Sequence, residues 1–124
     1  EDKYGEKQEM KCDGDTPIDI PLAVLVNENS ASASEIFSGA IQTFGTGEVV
    51  GTTTYGKGVV QQIFDLKDGT SVKLTIAEYL IAGQFGINGK GVTPDVEVQY
   101  EKDAQNPDRD NQLEKALEEV KNKL

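Results

Sequence analysis

The order of patterns along the chain predicts a mixed α/β domain, a β-sheet with helices packed on it, and three observations carry that reading. Leu22-Ala23-Val24-Leu25-Val26 is a continuous apolar run edged by Pro21, the pattern of a strand buried on both faces. From Ala33 the apolar residues fall at 33, 36, 37, 40, 41 and 44, the spacing of an amphipathic helix. Val72, Leu74 and Ile76 then alternate with Lys73, Thr75 and Ala77, so one face of a strand is expected to look into a core. A chain of 124 residues suits one domain, here residues 1–124.

Each element has its own signals. Residues 1–20 are polar, with Gly14 between Asp13 and Asp15, and read as a loop or weak hairpin. After the first strand, Asn27-Glu28-Asn29-Ser30 is a turn, and the helix is expected from about Ala33 to Phe44 with Gly45 as its stop. Strands follow at Glu48 to Gly51, Val59 to Leu66 and Ser71 to Leu80, the last two joined by Lys67-Asp68-Gly69-Thr70. A loop with Gly83, Gly86, Gly89 and Gly91 leads to a brief Val96-Glu97-Val98 strand. Asn106-Pro107 then reads as the N-cap and first residue of a closing helix over 107–124, with Leu113, Ala116, Leu117, Val120 and Leu124 as its apolar stripe.

Composition removes several classes of function. With 12 Lys and Arg against 22 Asp and Glu the net charge is -10, so neither nucleic acid nor an anionic membrane finds a basic face. No apolar stretch approaches the roughly 20 residues a bilayer span requires. The chain has no histidine, which rules out a Ser/His/Asp or Cys/His arrangement within it. Cys12 is the one cysteine, lies in a polar segment and reads as incidental; it allows neither an internal disulfide nor a Cys/His zinc cluster. Asn106, Asp108 and Asp110 have the alternate spacing of a calcium loop, yet Asn111 and Leu117 stand where glycine and glutamate are needed. These and the acidic residues around Asp13 read as solvated loops. No metal or cofactor is expected, and any general base must come from Lys, Asp, Glu or Tyr.

Gly51 to Lys57 presents G-x-x-x-x-G-K after a strand, most of a phosphate-binding loop. Gly58 replaces the magnesium-binding hydroxyl, and Val59 to Phe64 reads as strand where a helix is required, so the lysine calls for another role. Ser32 stands at the start of the first helix, where the dipole and the next N–H, that of Ala33, would favour an oxyanion. The same residue also forms a capping box with Glu35, so taken by itself that segment reads first as a plain cap. Lys57, framed by Gly56 and Gly58, would serve an activated serine if burial kept its amine neutral, since a lysine in water titrates at about 10.4. A charged Glu35 beside it would oppose that, so Glu35 is expected to point away along the helix.

Two longer stretches, Val24 to Ile36 with its S-A-S-A-S-E and Tyr55 to Gln62 with its G-K-G-x-x-Q-Q, closely resemble the C-terminal processing (tail-specific) serine peptidases. Gly91-Val92-Thr93-Pro94-Asp95 and Asp110-x-Gln112-Leu113-x-x-Ala116-Leu117 resemble two further motifs of that family. The resemblance implies the β-β-α spiral fold of the ClpP and crotonase group, with this chain as the C-terminal part of the protease core. It implies Ser32 as nucleophile, Lys57 as general base, Gln61 as the residue orienting the lysine, and the Ala33 N–H as oxyanion donor. Four extended steps place Lys57 and Gln61 about 13 Å apart, so their contact requires a bend near Gly58 or inward-leaning side chains. The implied activity is endoproteolysis near protein C-termini through an acyl-enzyme. Protein or peptide tails are the implied partners, and the implied place of work is outside the cytoplasm. The family's upstream glycine-rich loop and its PDZ domain are not in this sequence, so weak or absent activity of the chain alone is expected. An unpaired sheet edge beside Leu22 to Val26, or self-association covering it, is expected for the same reason. The rival from another class is a noncatalytic module that captures a peptide tail by strand addition.

Overall fold

The structure is a computed structural model that describes residues 1–9, 14, 20–82 and 85–124. Its elements in chain order are β1 (Ala23–Val26), α1 (Ala33–Thr43), β2 (Glu48–Gly51), β3 (Val59–Asp65), β4 (Ser71–Glu78), β5 (Leu80–Ile81), β6 (Phe85–Gly86), β7 (Val96–Glu97) and α2 (Asn111–Asn122). The mixed α/β class read from the sequence is the one observed. The readings of Cys12, Asp13, Asp15 and Gly83 lie outside the described residues.

β1, β2 and β7 form a parallel sheet in the order β1-β2-β7, with Ala23 opposite Glu48, Val26 opposite Gly51 and Val50 opposite Val96. Parallel neighbours need a crossover, and α1 supplies it between β1 and β2. As the central strand, β2 is the most enclosed, with Val49 and Val50 fully buried under contacts from α1 and α2. β1 has no partner on its outer edge among the described residues, and Leu25 is exposed. The expectation of a strand buried on both faces is therefore corrected: α2 packs on β1, but an edge strand with no described neighbour on one side keeps part of its apolar surface in water.

α1 ends as read. Gly45 donates to the Gln42 carbonyl and Thr46 to that of Ile41, which satisfies the last carbonyls in a Schellman motif. Its buried face is different from the one the apolar spacing indicated. Glu35, Ser38 and Gly39 are buried, whereas Phe37 and Phe44 are exposed, Phe44 by 67%. Close approach explains the choice: a Cβ on Gly39 would stand 2.1 Å from Ile81 Cδ1, so the helix sits on β5 through its smallest residues. Ile81, Ile87 and Val92 form a compact buried cluster on that side.

β3 and β4 pair antiparallel around the Leu66 to Thr70 turn, where Leu66 N–H donates to the Thr70 carbonyl at 2.8 Å. The core-facing alternation expected for β4 is corrected. Phe64, Val72, Leu74 and Ile76 are between 37% and 48% exposed, because no layer of the described residues lies on that face. At the far end of β4 the first residues of the chain dock, with Asp2 bridged to Ala77 and the Glu78 N–H donating to the Glu1 carbonyl at 2.8 Å.

The closing helix starts later than Asn106-Pro107 suggested. Asp110 is its N-cap, accepting from Gln112 N–H at 2.9 Å and Leu113 N–H at 3.0 Å, and residues 107–110 precede the helix. Asparagine and aspartate are comparable caps, and Asp110 satisfies two of the orphan N–H groups at the position where the helix start is also held by tertiary contact. Gln112 then donates to the Val98 carbonyl at 2.7 Å, which fastens the helix start to the end of β7. Asp95 does the same for the preceding loop, accepting from Val49 N–H and from the Gln42 side chain.

Candidate active site

The chain leaves β1 through a turn in which Ser30 N–H donates to the Asn27 carbonyl and Asn27 N–H to Ser30 Oγ. That reversal delivers Ser32 to the N-cap of α1 with φ 58 and ψ -113. A serine held in this region carries about 1–3 kcal/mol of backbone strain, and such strain concentrates where a nucleophile is presented at a strand-to-helix turn. Ser32 is half-buried, and the Ala33 N–H beside it donates to no acceptor among the described residues. The capping-box pairing of Ser32 with Glu35 is present, but the serine hydroxyl makes no full cap hydrogen bond; Glu35 N–H goes to the Ser32 carbonyl at 2.9 Å.

Glu35 has no exposed surface, and its carboxylate is the centre of the site. Oε2 accepts the N–H of Ser32 and that of Lys57, both at 2.8 Å; Oε1 accepts the Thr54 hydroxyl and the Gly56 N–H, both at 2.6 Å. The expectation that Glu35 points away along the helix is thus corrected. It turns toward the Lys57 loop because that loop offers two backbone N–H groups and a hydroxyl, which a buried anion needs. Burial alone would raise its pKa, but hydrogen bonds from Thr54, Gly56, Ser32 and Lys57 outweigh it and hold the carboxyl below the ordinary glutamate value. The unfolded chain therefore takes up this proton first as pH falls. The stability Glu35 contributes is full above its unfolded pKa and is lost as pH drops through the lower native value. A set of thermal melts across the acid range should show this fall, with the Glu35 carboxyl carbon titrating by NMR below the ordinary glutamate value; a titration at or above that value would contradict the assignment.

Lys57 is carried on the loop between β2 and β3, and the loop is clamped from two sides. Tyr55 N–H donates to the Ser30 carbonyl at 2.9 Å, and Thr54 exchanges hydrogen bonds with Val92, N–H to carbonyl at 3.1 Å and Val92 N–H to Thr54 Oγ1 at 2.7 Å. The glycines on either side of the lysine act as read: a Cβ on Gly58 would stand 2.5 Å from Asn88 N, and one on Gly56 3.0 Å from Gly91 N. The loop runs into strand β3 and does not open a helix in the manner of a phosphate-binding loop. Sharing one Glu35 oxygen, the Ser32 and Lys57 backbones lie within two hydrogen-bond lengths of each other. Lys57 itself is exposed, so the burial that a neutral amine requires is not supplied by the described residues.

Gln61 lies on β3 at a register shift between Val60 and Gln61, and its amide donates to Thr75 Oγ1 at 3.4 Å. No hydrogen bond joins it to Lys57 among the described residues. The structure therefore brings Ser32, Ala33 and the Lys57 backbone together and leaves Gln61 exposed on the adjoining strand. Sequence reasoning missed Thr54 and the second function of Glu35. The S-x-x-E spacing did flag the glutamate, but only as a helix cap, and nothing in Thr52-Thr53-Thr54 distinguishes the buried threonine.

The profile of Peptidase family S41 matches residues 1–98. A carboxyl-terminal-processing protease of Synechocystis sp. is 39% identical over 93 residues, which are 75% of this chain and 22% of that protein. A probable CtpA-like serine protease of Staphylococcus epidermidis is 39% identical over 100 residues, 78% of this chain and 20% of its own. Among solved structures, a photosystem II D1 C-terminal processing protease superposes with a TM-score of 0.62 at 40% identity, covering 70% of this chain and 23% of that one. The tricorn protease gives 0.64 at 26% identity, over 82% of this chain and 10% of its own. The chain spans about a fifth of the length of the curated relatives it matches. With the profile running through Ser32, Lys57 and Gln61, and the fold shared with solved proteases, the chain belongs to peptidase family S41.

Proposed function

We propose that this chain carries the nucleophile and base of a serine endopeptidase that cuts proteins near their C-termini. The observation that supports this reading best is Ser32 at positive φ on a helix N-terminus, with the Lys57 backbone fastened to the same carboxylate oxygen. In the proposed step a neutral Lys57 Nζ takes the proton of Ser32 Oγ as that oxygen bonds to the scissile carbonyl carbon. The carbonyl oxygen becomes an oxyanion facing the Ala33 N–H and the positive end of α1. On collapse the C–N bond breaks, the amine leaves with the proton from Lys57, and water later cleaves the ester by the reverse sequence. Gln61 is proposed to orient Lys57 once the bound substrate and the rest of a working peptidase close over the exposed amine.

The test is covalent labelling by a fluorophosphonate, with the modified peptide located by mass spectrometry. Labelling at Ser32 should fall by about 10²–10⁴-fold in Lys57→Ala, the usual worth of a general base. Lys57→Arg should be equally slow, because an arginine keeps the charge and cannot give up a proton. Brisk labelling of the arginine variant would show that Lys57 acts only as a charge. Binding of peptide tails with no labelling would favour the strand-adding module instead.

A further inference from the structure

We propose that Glu35 is the positioning residue of the Ser/Lys pair: its buried carboxylate ties the strained Ser32 backbone and the Lys57 loop to one point, and so sets the distance between nucleophile and base. The inference rests on the peptidase reading and adds to it a residue that touches no substrate.

The chemistry of the four contacts requires an anion. Every partner is a donor: the N–H of Ser32, of Gly56 and of Lys57, and the hydroxyl of Thr54. A carboxylate has about four acceptor sites, and here all four are used. Glutamine has the same length, but its amide nitrogen would face two donors with nothing to accept them. Aspartate is one methylene shorter and cannot hold both segments at these distances. The division between the oxygens matters too. Oε2 alone bridges Ser32 and Lys57, so any movement of the lysine loop is transmitted to the residue whose φ is held at 58°. Oε1 holds Gly56 and Thr54, and Thr54 passes the constraint to Val92. The negative charge also lies in the first turn of α1, where the helix dipole favours it. A carboxylate with no exposed surface cannot be exchanging protons with substrate, so its effect on the reaction must pass through the two backbones it fixes.

The experiment uses Glu35→Gln, with the couplings and amide exchange read in this chain and the labelling read in a full-length peptidase that carries it. In the unsubstituted chain, hydrogen-bond scalar couplings should connect the amides of Ser32, Gly56 and Lys57 to the Glu35 side-chain carbonyl carbon. Those three amides should exchange with solvent faster in the glutamine variant, while the amides of α2 and of the β3–β4 pair keep their protection. Fluorophosphonate labelling of Ser32 should then lose about 10²-fold in its maximal rate, the effect of misplacing a reacting pair by about an ångström, with half-saturating probe concentration unchanged. If the variant does not fold, the couplings in the unsubstituted chain decide, and their absence overturns the proposal. A chain labelled at Ser32 whose glutamine variant reacts equally fast overturns the positioning role and leaves the peptidase reading standing. A full-length peptidase never labelled at Ser32 removes both.

Discussion

In the full-length peptidase, Ser32→Ala is expected to end covalent labelling and to lower peptide cleavage by about 10⁴–10⁶-fold, the loss usual when a serine nucleophile is removed from a site that keeps its other groups. Ser30→Ala and Ser34→Ala should keep a measurable rate. Ser30 spends its hydroxyl on the Asn27 N–H within the turn, and Ser34 lies exposed one step along α1. The strained backbone adds a second readout. Alanine meets the same steric penalty at φ 58 as serine does, whereas glycine does not. Ser32→Gly should therefore be more stable than Ser32→Ala by about 1–3 kcal/mol in thermal melts, although both are inactive. Equal stability of the two would mean that Ser32 is unstrained. Near-normal turnover of Ser32→Ala would remove it as nucleophile.

The largest effect on folding is expected from Gly51→Ala. Gly51 is the last residue of β2, is buried and has φ 134, and a Cβ there would lie 1.9 Å from the Val26 carbonyl oxygen. That oxygen accepts the Thr52 N–H at 3.1 Å, so the added methyl would strike the pairing that joins β1 to β2. Backbone atoms on both sides cannot swing aside as a side chain can. The cost should be about 4 kcal/mol or more, a large part of the roughly 5–15 kcal/mol that holds a domain of this size together. Gly45→Ala is the control: its φ is 64, but no atom lies within 4 Å of the new Cβ. It should cost only about 1–2 kcal/mol, the ordinary penalty of a left-handed alanine. Circular dichroism melts of the two variants would separate collision from conformational preference, and a Gly51→Ala protein as stable as its parent would refute the packing described at the β1–β2 junction.

How much of the fold is legible in the sequence depends on how local the determining physics is. β2, the turn at Asp68-Gly69, and the stop of α1 at Gly45 are legible because short-range signals decide them. The start of α2 is not, because Asn106-Pro107 and Asp110 are both acceptable caps, and the choice falls to contacts made by Gln112 with Val98, far back in the chain. The buried face of α1 escapes for a related reason: apolar spacing points to Phe37 and Phe44, but close packing of Gly39 on Ile81 turns the side of Ser38 and Gly39 inward. At the site, Ser32 and Lys57 are marked by motifs, whereas the positive φ of Ser32 and the bridging carboxylate of Glu35 exist only once residues some twenty positions apart have met. A spacing such as S-x-x-E is the same whether the glutamate caps its own helix, anchors a distant loop or, as here, does both.

The face of β3 and β4 that no other described residue covers has a colloidal consequence as well as a folding one. Phe64, Val72, Leu74 and Ile76 form a short-range adhesive plate on a particle whose net charge of -10 repels its copies at longer range. The balance is kinetic: at neutral pH and low salt the charge keeps two plates from meeting. Near the isoelectric point of about 4.4 the repulsion vanishes while the adhesion stays. At about 1 M salt its reach contracts to about 3 Å, less than the distance at which the plates touch. Solubility of this chain is therefore expected to fall near the isoelectric point and at high salt even where the fold is intact, which turbidity measured across pH and salt would check.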